Sequence, residues 1–429
     1  MNTLLLHPTD TLFFRDGRPM SGSLSGHGAA WPLPSVLNAA LHAALHRAAL
    51  PEVHEHKRGR SSDRASNAER DRKFGSLTTA GPFPVEATER WFFPCPADAQ
   101  KSTNTAVTLH PVRIHGTSSM PAPLTLSVAN TEPPTKTKPA PWWSHKAWSA
   151  YLSSTPSPDD DHFKTDADFT DTEHSIGIGI SAETGTQNGE QFYSAHSLRL
   201  REGWRLGVLA EAEDKKNGDP SDKRDLIELL FPNSGKQTPV IVGGQQRLCT
   251  VERHQRQPLP LPIGPVINGT RVKWVLLTPA IFPQINAHSG GWLPSWVDLQ
   301  GEVQLLDGPG KNYANRHRVS EGRRIPAKLV AAITGKPIPV TGYALPNSAD
   351  PDRTEGGAKS THLAVPAGAV YYFEAESPEA AQALADALNW HGGDRSPTSV
   401  RNRRSTLMGE KGFGLGVCGS WDFQLKFHT

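Results

Sequence analysis

The stretch Asp10-Thr-Leu-Phe-Phe-Arg-Asp-Gly-Arg-Pro-Met20 decides how the rest of the sequence is organised. A short apolar run from Asn2 to Leu6 precedes it and predicts a strand, and a helical pattern begins after it at Pro34. The sequence therefore predicts a strand, an exposed loop and a helix in this order. Arginine side chains bind phosphates and stack on bases, and phenylalanine rings offer bases a flat face. This loop therefore suits single-stranded nucleic acid better than a small metabolite.

Composition limits the classes of protein to be considered. With 429 residues, the chain is long enough for two or three domains, each with its own core. Its formal net charge is only +2, so any RNA site has to be a local basic patch. No long apolar run or basic N-terminal leader is present, so we expect neither a membrane span nor a secretory signal. Three widely spaced cysteines fit a reducing cytoplasm, where we expect the protein to act.

Two segments carry strong helix signals. Residues 34–50 place leucines and alanines on one face, with Ser35 as the predicted N-cap. Residues 377–390 begin with Ser377 as a cap and Pro378 in the first helical position, and a glycine pair follows shortly after. A third, shorter helix is predicted over residues 141–152. The Pro-, Ser- and Thr-rich segment 97–140 predicts irregular structure.

Strands are predicted between and after these helices, at residues 173–180, 197–209, 240–251, 270–279 and 371–374. A glycine-rich loop over residues 411–419 and a last strand over 421–427 close the chain. The β-α-β-β-α-β style of alternation predicts an α+β fold with two ferredoxin-like modules and long inserted loops. We place the N-terminal module at residues 1–264 and the C-terminal module, with the glycine-rich loop, at 265–429.

Candidate binding residues follow from this layout. Arg15 and Arg18 concentrate donors on one tight loop, and the helix that starts near Ser35 has free backbone N–H groups for an anion. Gly412, Gly414 and Gly416 do not open a helix, which excludes a dinucleotide-binding loop. Close approach of their backbone to an RNA phosphate and a plain tight turn both remain open.

Acidic and histidine pairs are weaker candidates. Asp10 and Asp16 offer two acids for nuclease chemistry, but Asp16 precedes a glycine and is more simply a turn residue, and Asp10 more simply satisfies loop amides. His42 and His46 lie one helical turn apart without a third ligand. We interpret them as surface residues and expect no metal.

Several stretches resemble one protein family. Phe13-Phe-Arg-Asp-Gly-Arg-Pro19, followed by Trp31-Pro-Leu-Pro-Ser35, is similar to the opening of the third Cmr subunit of type III-B CRISPR effector complexes. That subunit belongs to the RAMP superfamily. Further similar stretches are Ile176-Gly-Ile-Gly-Ile180, the Gly243-Gly244 turn with Arg247, and the loop from Gly412 to Gly419. The chain departs from the pattern at His174-Ser175 and at Met20.

The resemblance implies two ferredoxin-like RAMP modules that bind the 5′ handle of CRISPR RNA in antiviral defence. It implies docking to the large cyclase-bearing subunit and to backbone RAMP subunits, with only indirect contact to target RNA. It implies no membrane association, no cofactor and no catalysis by this subunit. The RNA-binding residues that we expect on this basis are Phe13, Phe14, Arg15, Asp16, Gly17, Arg18, Ser35, Arg247, Lys411, Gly412, Gly414 and Gly416.

Two alternatives stay open. One is a RAMP endoribonuclease that processes precursor CRISPR RNA by metal-independent acid–base chemistry, for which His27 beside the first loop is the candidate. The other is a protein-only scaffold without RNA contacts at the first loop.

Overall fold

The computed structural model describes residues 1–15, 24–26, 29–48, 77–101, 106–114, 116, 118–129, 136–215, 223–232, 238–255, 257–286, 289–307, 323–344 and 357–423. The helices are α1 Pro34–Arg47, α2 His145–Leu152, α3 Asp166–Phe169, α4 Leu226–Leu230 and α5 Pro378–Leu388, with short 3-10 turns at Asp160–His162 and Gly409–Lys411. Every helix in this part of the chain is too short or too polar to cross a lipid bilayer.

The strands run from one end of the chain to the other. They are β1 Asn2–Pro8, β2 Leu24–Gly26, β3 Thr78–Glu86, β4 Phe92–Pro94, β5 Ala99–Lys101, β6 Ala106–Thr108, β7 His110–Arg113, β8 Leu126–Ala129, β9 Trp142–Ser144, β10 Phe163–Lys164, β11 Thr170–Ile180, β12 Gln187–Leu200, β13 Trp204–Glu211, β14 Glu213–Lys215, β15 Lys223–Asp225, β16 Thr238–Ile241, β17 Leu248–His254, β18 Arg271–Leu276, β19 Phe282–Asn286, β20 Ser289–Gly291, β21 Ala327–Ile333, β22 Ile338–Val340, β23 Tyr343–Ala344, β24 Gly357–Ala358, β25 His362–Ala364, β26 Val370–Ala375 and β27 Gly416–Ser420.

The chain divides into two compact units. The first unit comprises Met1–Glu89, Asp166–Arg256 and Pro339–His362, and the second comprises Arg90–Thr165, Gln257–Ile338 and Leu363–Thr429. The predicted boundary after residue 264 lies close to the junction at Arg256–Gln257, but the chain also passes between the units at four other points.

The first unit is built on a five-stranded sheet in the order β16-β17-β1-β13-β3, and all neighbours in it are antiparallel. Because side chains alternate across a strand, Leu4 and Leu6 of β1 point to the same face of the sheet. There they share a core with Leu37, Leu41 and Leu45 of α1. The predicted apolar face of this helix is therefore its buried face.

The start of α1 differs from the prediction. Pro34 occupies the first turn, and the N-cap is Leu33, whose side chain makes no capping hydrogen bond. Ser35 is a helical residue and not the N-cap. Proline has no N–H to satisfy and already holds a helical φ, so the helix begins at Pro34, two residues earlier than it would with Ser35 as the cap.

A long hairpin of β11 and β12 belongs to the first unit, and β2 pairs with β12 in parallel. Three isoleucines of β11 lie on one face of the strand and are solvent-exposed: Ile176 is 70%, Ile178 49% and Ile180 64% exposed. The predicted strand at residues 173–180 is confirmed and is longer at its N-terminal end.

The second unit has a four-stranded antiparallel sheet in the order β21-β26-β18-β27. Val272, Trp274 and Leu276 of β18 are fully buried in a core that α5 helps to build. Ser377 caps α5 through a hydrogen bond from the Ala380 backbone N–H, at 3.2 Å, as predicted. Helices therefore pack on mostly antiparallel sheets in both units, which confirms the α+β class.

Two segments of the second unit depart from the prediction. The segment 97–140, predicted to be irregular, forms the short antiparallel hairpins β5–β6 and β7–β8. The predicted helix over 141–152 begins only at His145, since Trp142–Ser144 pairs with both β4 and β10 as strand β9. Tertiary pairing overrides local propensity here. The Ser144 side chain then caps the shortened helix.

A buried polar cluster, here called the Asp98 centre, lies in the second unit. The Asp98 carboxylate is fully buried and accepts hydrogen bonds from the Tyr151 hydroxyl, at 2.7 and 2.8 Å, and from the Tyr372 hydroxyl, at 3.1 Å. The buried Lys273 Nζ lies 3.7 Å from the same carboxylate and 3.7 Å from the centre of the Tyr151 ring. Burial lowers the pKa of Lys273, and Asp98 acts against this shift.

His391 makes the second unit sensitive to acid. Burial, followed by the charge of Arg395, lowers the pKa of His391 to about 4, and its Nε2 accepts a hydrogen bond from the Gly264 N–H at 3.3 Å. Because the unfolded histidine has a pKa near ~6.5, only the unfolded chain binds this proton between the two values, so stability falls as the pH falls. Between pH 7.5 and 5 we expect a loss of about 2 kcal/mol from this residue.

Urea unfolding at both pH values checks this expectation. The variant His391→Gln, which keeps a side-chain acceptor but does not titrate, serves as the control. We expect it to lose about 2 kcal/mol less than the parent chain over the same pH range. An equal loss in both proteins would contradict the assignment.

Candidate nucleic-acid interface

The first loop, defined here as residues 9–15, is fixed at several points by the first unit. Thr9 donates its backbone N–H to the Leu248 carbonyl at 3.0 Å. Leu12 and Leu198 exchange two backbone hydrogen bonds of 2.7 Å, and the Phe14 carbonyl accepts from the Ala29 N–H at 2.9 Å. The connection that follows the central strand β1 is therefore held by backbone hydrogen bonds to neighbouring segments. It presents its remaining side chains in a fixed position.

The Gly243-Gly244 turn packs directly against Phe13 and Phe14. Gly244 donates its N–H to the Phe13 carbonyl at 2.9 Å. A Cβ atom on Gly243 would lie 2.5 Å from that same carbonyl oxygen, and one on Gly244 would lie 2.8 Å from the Phe13 ring. Only glycine permits this approach, so the Gly243-Gly244 turn and the first loop form one unit of structure.

Asp10 gathers two arginines beside the first loop. Its carboxylate lies 2.8 Å from a guanidinium nitrogen of Arg199 and 3.4 Å from one of Arg247. A hydrogen bond from the Thr11 backbone and then one from Arg199 lower the pKa of Asp10. Arg199 is also hydrogen-bonded to Glu173 across the β11–β12 hairpin. Charged groups of both signs thus surround the exposed loop, with the arginines held in place by carboxylates.

The predicted residues of this region have different surroundings. Arg15 is exposed at the end of the described loop, and Phe13 is half-buried against the glycine turn. Phe14 is only 3% exposed and packs in the core, so its ring has no free face to offer a base. Ser35 lies half-buried within α1. Asp16, Gly17, Arg18 and His27 lie outside the described residues.

The predicted glycine-rich loop belongs to the second unit and is largely a buried strand. Residues Gly416–Ser420 form β27, so the strand begins five residues before the predicted Trp421. Gly412 and Gly414 have φ angles of 94° and 76° and are buried, and Lys411 is half-buried. A Cβ atom would lie 2.0 Å from the Ser405 backbone nitrogen at Gly414 and 2.1 Å from the Trp274 ring at Gly416. The chain itself therefore fills the space beside these two glycines.

Sequence reasoning did not find Arg199. Its partner Asp10 lies 189 residues away in the sequence, so no local pattern connects them. The alternation Leu198-Arg-Leu-Arg201 was a usable signal, because it places both arginines on the solvent face of a strand. Among the described residues, no group of three His, Cys, Asp or Glu side chains is arranged to hold a metal ion.

Sequence comparison now decides the family. A family model described as CRISPR-associated protein (Cas_Cmr3) matches residues 4–421. The chain belongs to the Cmr3 family. This membership agrees with the resemblance of the first loop, and it covers both units of the fold. No curated protein gives a significant match to this Cmr3-family chain.

Solved structures similar to this Cmr3-family chain come from type III CRISPR complexes. One is a chain in a cryo-EM structure of the Type III-B Cmr-beta bound to cognate target RNA and AMPPnP, with 12% identity, a TM-score of 0.45, and coverage of 88% of this chain and 86% of that chain. Another is in the crystal structure of the Csm3-Csm4 subcomplex of a type III-A interference complex, with 12% identity, a TM-score of 0.37, and coverage of 88% and 93%.

Proposed function

We propose that this Cmr3-family chain is a non-catalytic subunit of a type III-B CRISPR effector complex and binds the 5′ handle of CRISPR RNA at the first loop. One observation carries the RNA assignment. The first loop, held by backbone hydrogen bonds, presents exposed Arg15 at one end, and Asp10 near its other end pairs with Arg199 and Arg247. Arginines supply charge and planar donors for phosphates and bases.

The electrostatics of the loop support this role. Hydrogen bonds to Glu173 and Asp10 raise the pKa of Arg199, so its charge is permanent. The net charge of the whole chain is only +2, and Asp10 and Glu173 offset part of the charge of these arginines, so any attraction of RNA here is local. A local patch on a nearly neutral chain favours binding of a short RNA segment over wrapping of a long one.

The strand order supports two ferredoxin-like modules, which we propose as the plan of both units. In the first unit β1, β3, β13 and β17 follow along the chain, and they lie in the sheet as β17-β1-β13-β3. In the second unit β18, β21, β26 and β27 lie in the equivalent order. In both sheets the first strand lies between the third and the fourth, as in a split β-α-β arrangement.

Family membership supports the proposed partners. We infer docking to the large cyclase-bearing subunit and to backbone RAMP subunits, with indirect contact to target RNA, in the cytoplasm. A pull-down of the full chain with the products of neighbouring genes, followed by sequencing of bound RNA, tests this. Short RNAs with a common 5′ handle and a large cyclase-like partner are the expected result. Cleavage of repeat RNA by the chain alone would contradict the non-catalytic role.

Arg15→Ala tests the RNA contact at the first loop. We expect weaker binding of the CRISPR RNA recovered with the complex, because one exposed guanidinium is lost. The log–log dependence of affinity on salt should flatten by roughly 0.7 for each phosphate contact removed from single-stranded RNA. Anisotropy titrations at several salt concentrations measure both quantities.

Arg201→Ala is the matched control for this prediction. It removes the same charge from the same unit, but its guanidinium is already held by both oxygens of Asp171, at 2.8 and 3.1 Å. We expect its affinity and salt dependence to stay close to those of the parent. Equal effects of the two variants would mean that net charge, and not the first loop, attracts the RNA.

A further inference from the structure

The turn between β16 and β17 has an unusual backbone. Gln245 and Gln246 adopt φ angles of 55° and 53°, and Arg247 donates its N–H to the Gly244 carbonyl at 3.4 Å. Two successive residues with positive φ inside such a bond are the central positions of a type I′ hairpin turn. Asn-Gly, Asp-Gly and Gly-Gly are the usual residues at these positions, and glutamine is not among them.

The glycines of this turn serve another purpose. Gly243 and Gly244 are needed for the contact with the backbone and ring of Phe13. The two left-handed positions that follow carry residues with a Cβ, and each of these is strained. Strain of this kind persists where the surrounding structure enforces it, and it collects at functional sites. The turn therefore retains two side-chain amides although both residues have an unfavourable backbone conformation.

The two amides have different surroundings. The Gln245 side-chain oxygen accepts a hydrogen bond from one terminal nitrogen of the Arg247 guanidinium at 3.2 Å, and the other terminal nitrogen lies 3.4 Å from Asp10. Gln246 is exposed, and its amide makes no hydrogen bond to any residue that the structure describes. Gln245 thus holds an arginine, whereas Gln246 presents a free donor and a free acceptor beside the Gly243-Gly244 turn that contacts the first loop.

We propose that Gln246 is a specificity-determining residue that reads an unpaired adenine of the bound RNA, and that Gln245 positions Arg247 for the adjoining phosphate. This inference rests on the proposed function and deepens it. A side-chain amide pairs its acceptor and donor with the amino group and ring nitrogen of adenine. Proteins read unstacked RNA bases on these same edges. On its Hoogsteen edge adenine offers its amino group beside N7, and uracil and cytosine have no N7 to complete this pair.

The test uses the full chain and three fluorescent 12-nucleotide RNAs: oligoadenylate, oligouridylate, and an oligomer of purine riboside, which lacks the adenine amino group. We expect oligoadenylate to bind roughly tenfold more tightly than the other two. Gln246→Gly should remove this difference by lowering the affinity for oligoadenylate to that of the other two RNAs. Gln245→Ala should weaken binding of all three RNAs alike, because it releases Arg247.

The glycine variant separates function from folding. Glycine adopts positive φ without strain, so Gln246→Gly should raise the melting temperature while it removes base discrimination. Binding of all three RNAs with equal affinity by the parent chain would overturn the inference and leave RNA binding intact. Persistence of the adenine preference in Gln246→Gly would also overturn it. Failure of the parent to bind any RNA would overturn the proposed function as well.

Discussion

Asp98→Ala is expected to lower the free energy of unfolding of the second unit by about 3–5 kcal/mol, which is the usual result of breaking a buried ion pair from one side. The substitution leaves the buried Lys273 without its carboxylate partner. It also removes the acceptor of the Tyr151 and Tyr372 hydroxyl groups. Three buried polar groups then lose a partner at once, and water does not reach them.

Urea titration monitored by circular dichroism measures this loss. Asp161→Ala is the matched control, since Asp161 is an exposed carboxylate of the same segment and is paired with Arg90 at 2.7 Å. We expect little change for it, because water screens an exposed pair. In the Asp98→Ala background, Lys273→Met should recover part of the loss, because an apolar side chain of similar length needs no counter-charge. Equal stability of Asp98→Ala and the parent would refute the role of the Asp98 centre.

Gly414→Ala is expected to cost about 2–5 kcal/mol, the sum of a left-handed backbone penalty and an overpacking penalty. The φ angle of Gly414 is 76°, and the added methyl carbon would lie 2.0 Å from the Ser405 backbone nitrogen. Backbone atoms cannot move aside as a flexible side chain does. The segment before β27 would have to rearrange.

Gly269→Ala is the control for this prediction. It lies in the same unit, its position is open, and no atom lies within 4 Å of an added Cβ. Thermal unfolding of both variants should therefore show a large decrease for Gly414→Ala and almost none for Gly269→Ala. A Gly414→Ala variant as stable as the parent would mean that Ser405 does not pack against this backbone.

Local signals predicted the helices well and the strands in part. Ser377 caps α5 and Pro378 is its first residue, as predicted, because capping and proline geometry involve only neighbouring residues. The glycine-rich C-terminal stretch was predicted as a loop, yet β27 begins within it. The reason is the Trp274 ring, which lies so close to the Gly416 backbone that no side chain fits there. Composition alone does not distinguish a glycine that is needed for a turn from a glycine that is needed because a neighbouring side chain leaves no space for a Cβ atom.

The polar sites were beyond the reach of sequence patterns for a related reason. Asp98 binds partners that are 53 and 274 residues away, and Asp10 binds Arg199 at a separation of 189 residues. Only the completed fold brings such groups together. Arg247 was predicted through the family resemblance and not through spacing. Its contact with Asp10, 237 residues away in the sequence, is likewise formed only in the completed fold.

The central position of β1 has a consequence for the order of synthesis. Leu4 pairs with Val208 on one side and with Arg253 on the other. At roughly 5–20 residues per second, the ribosome delivers these partners roughly 10–50 s after β1 has emerged. During that interval both edges of the apolar strand β1 lack their native partners. Unpaired strand edges of this kind are prone to incorrect pairing and aggregation. We therefore expect β1 to need protection until β13 and β17 have been synthesised.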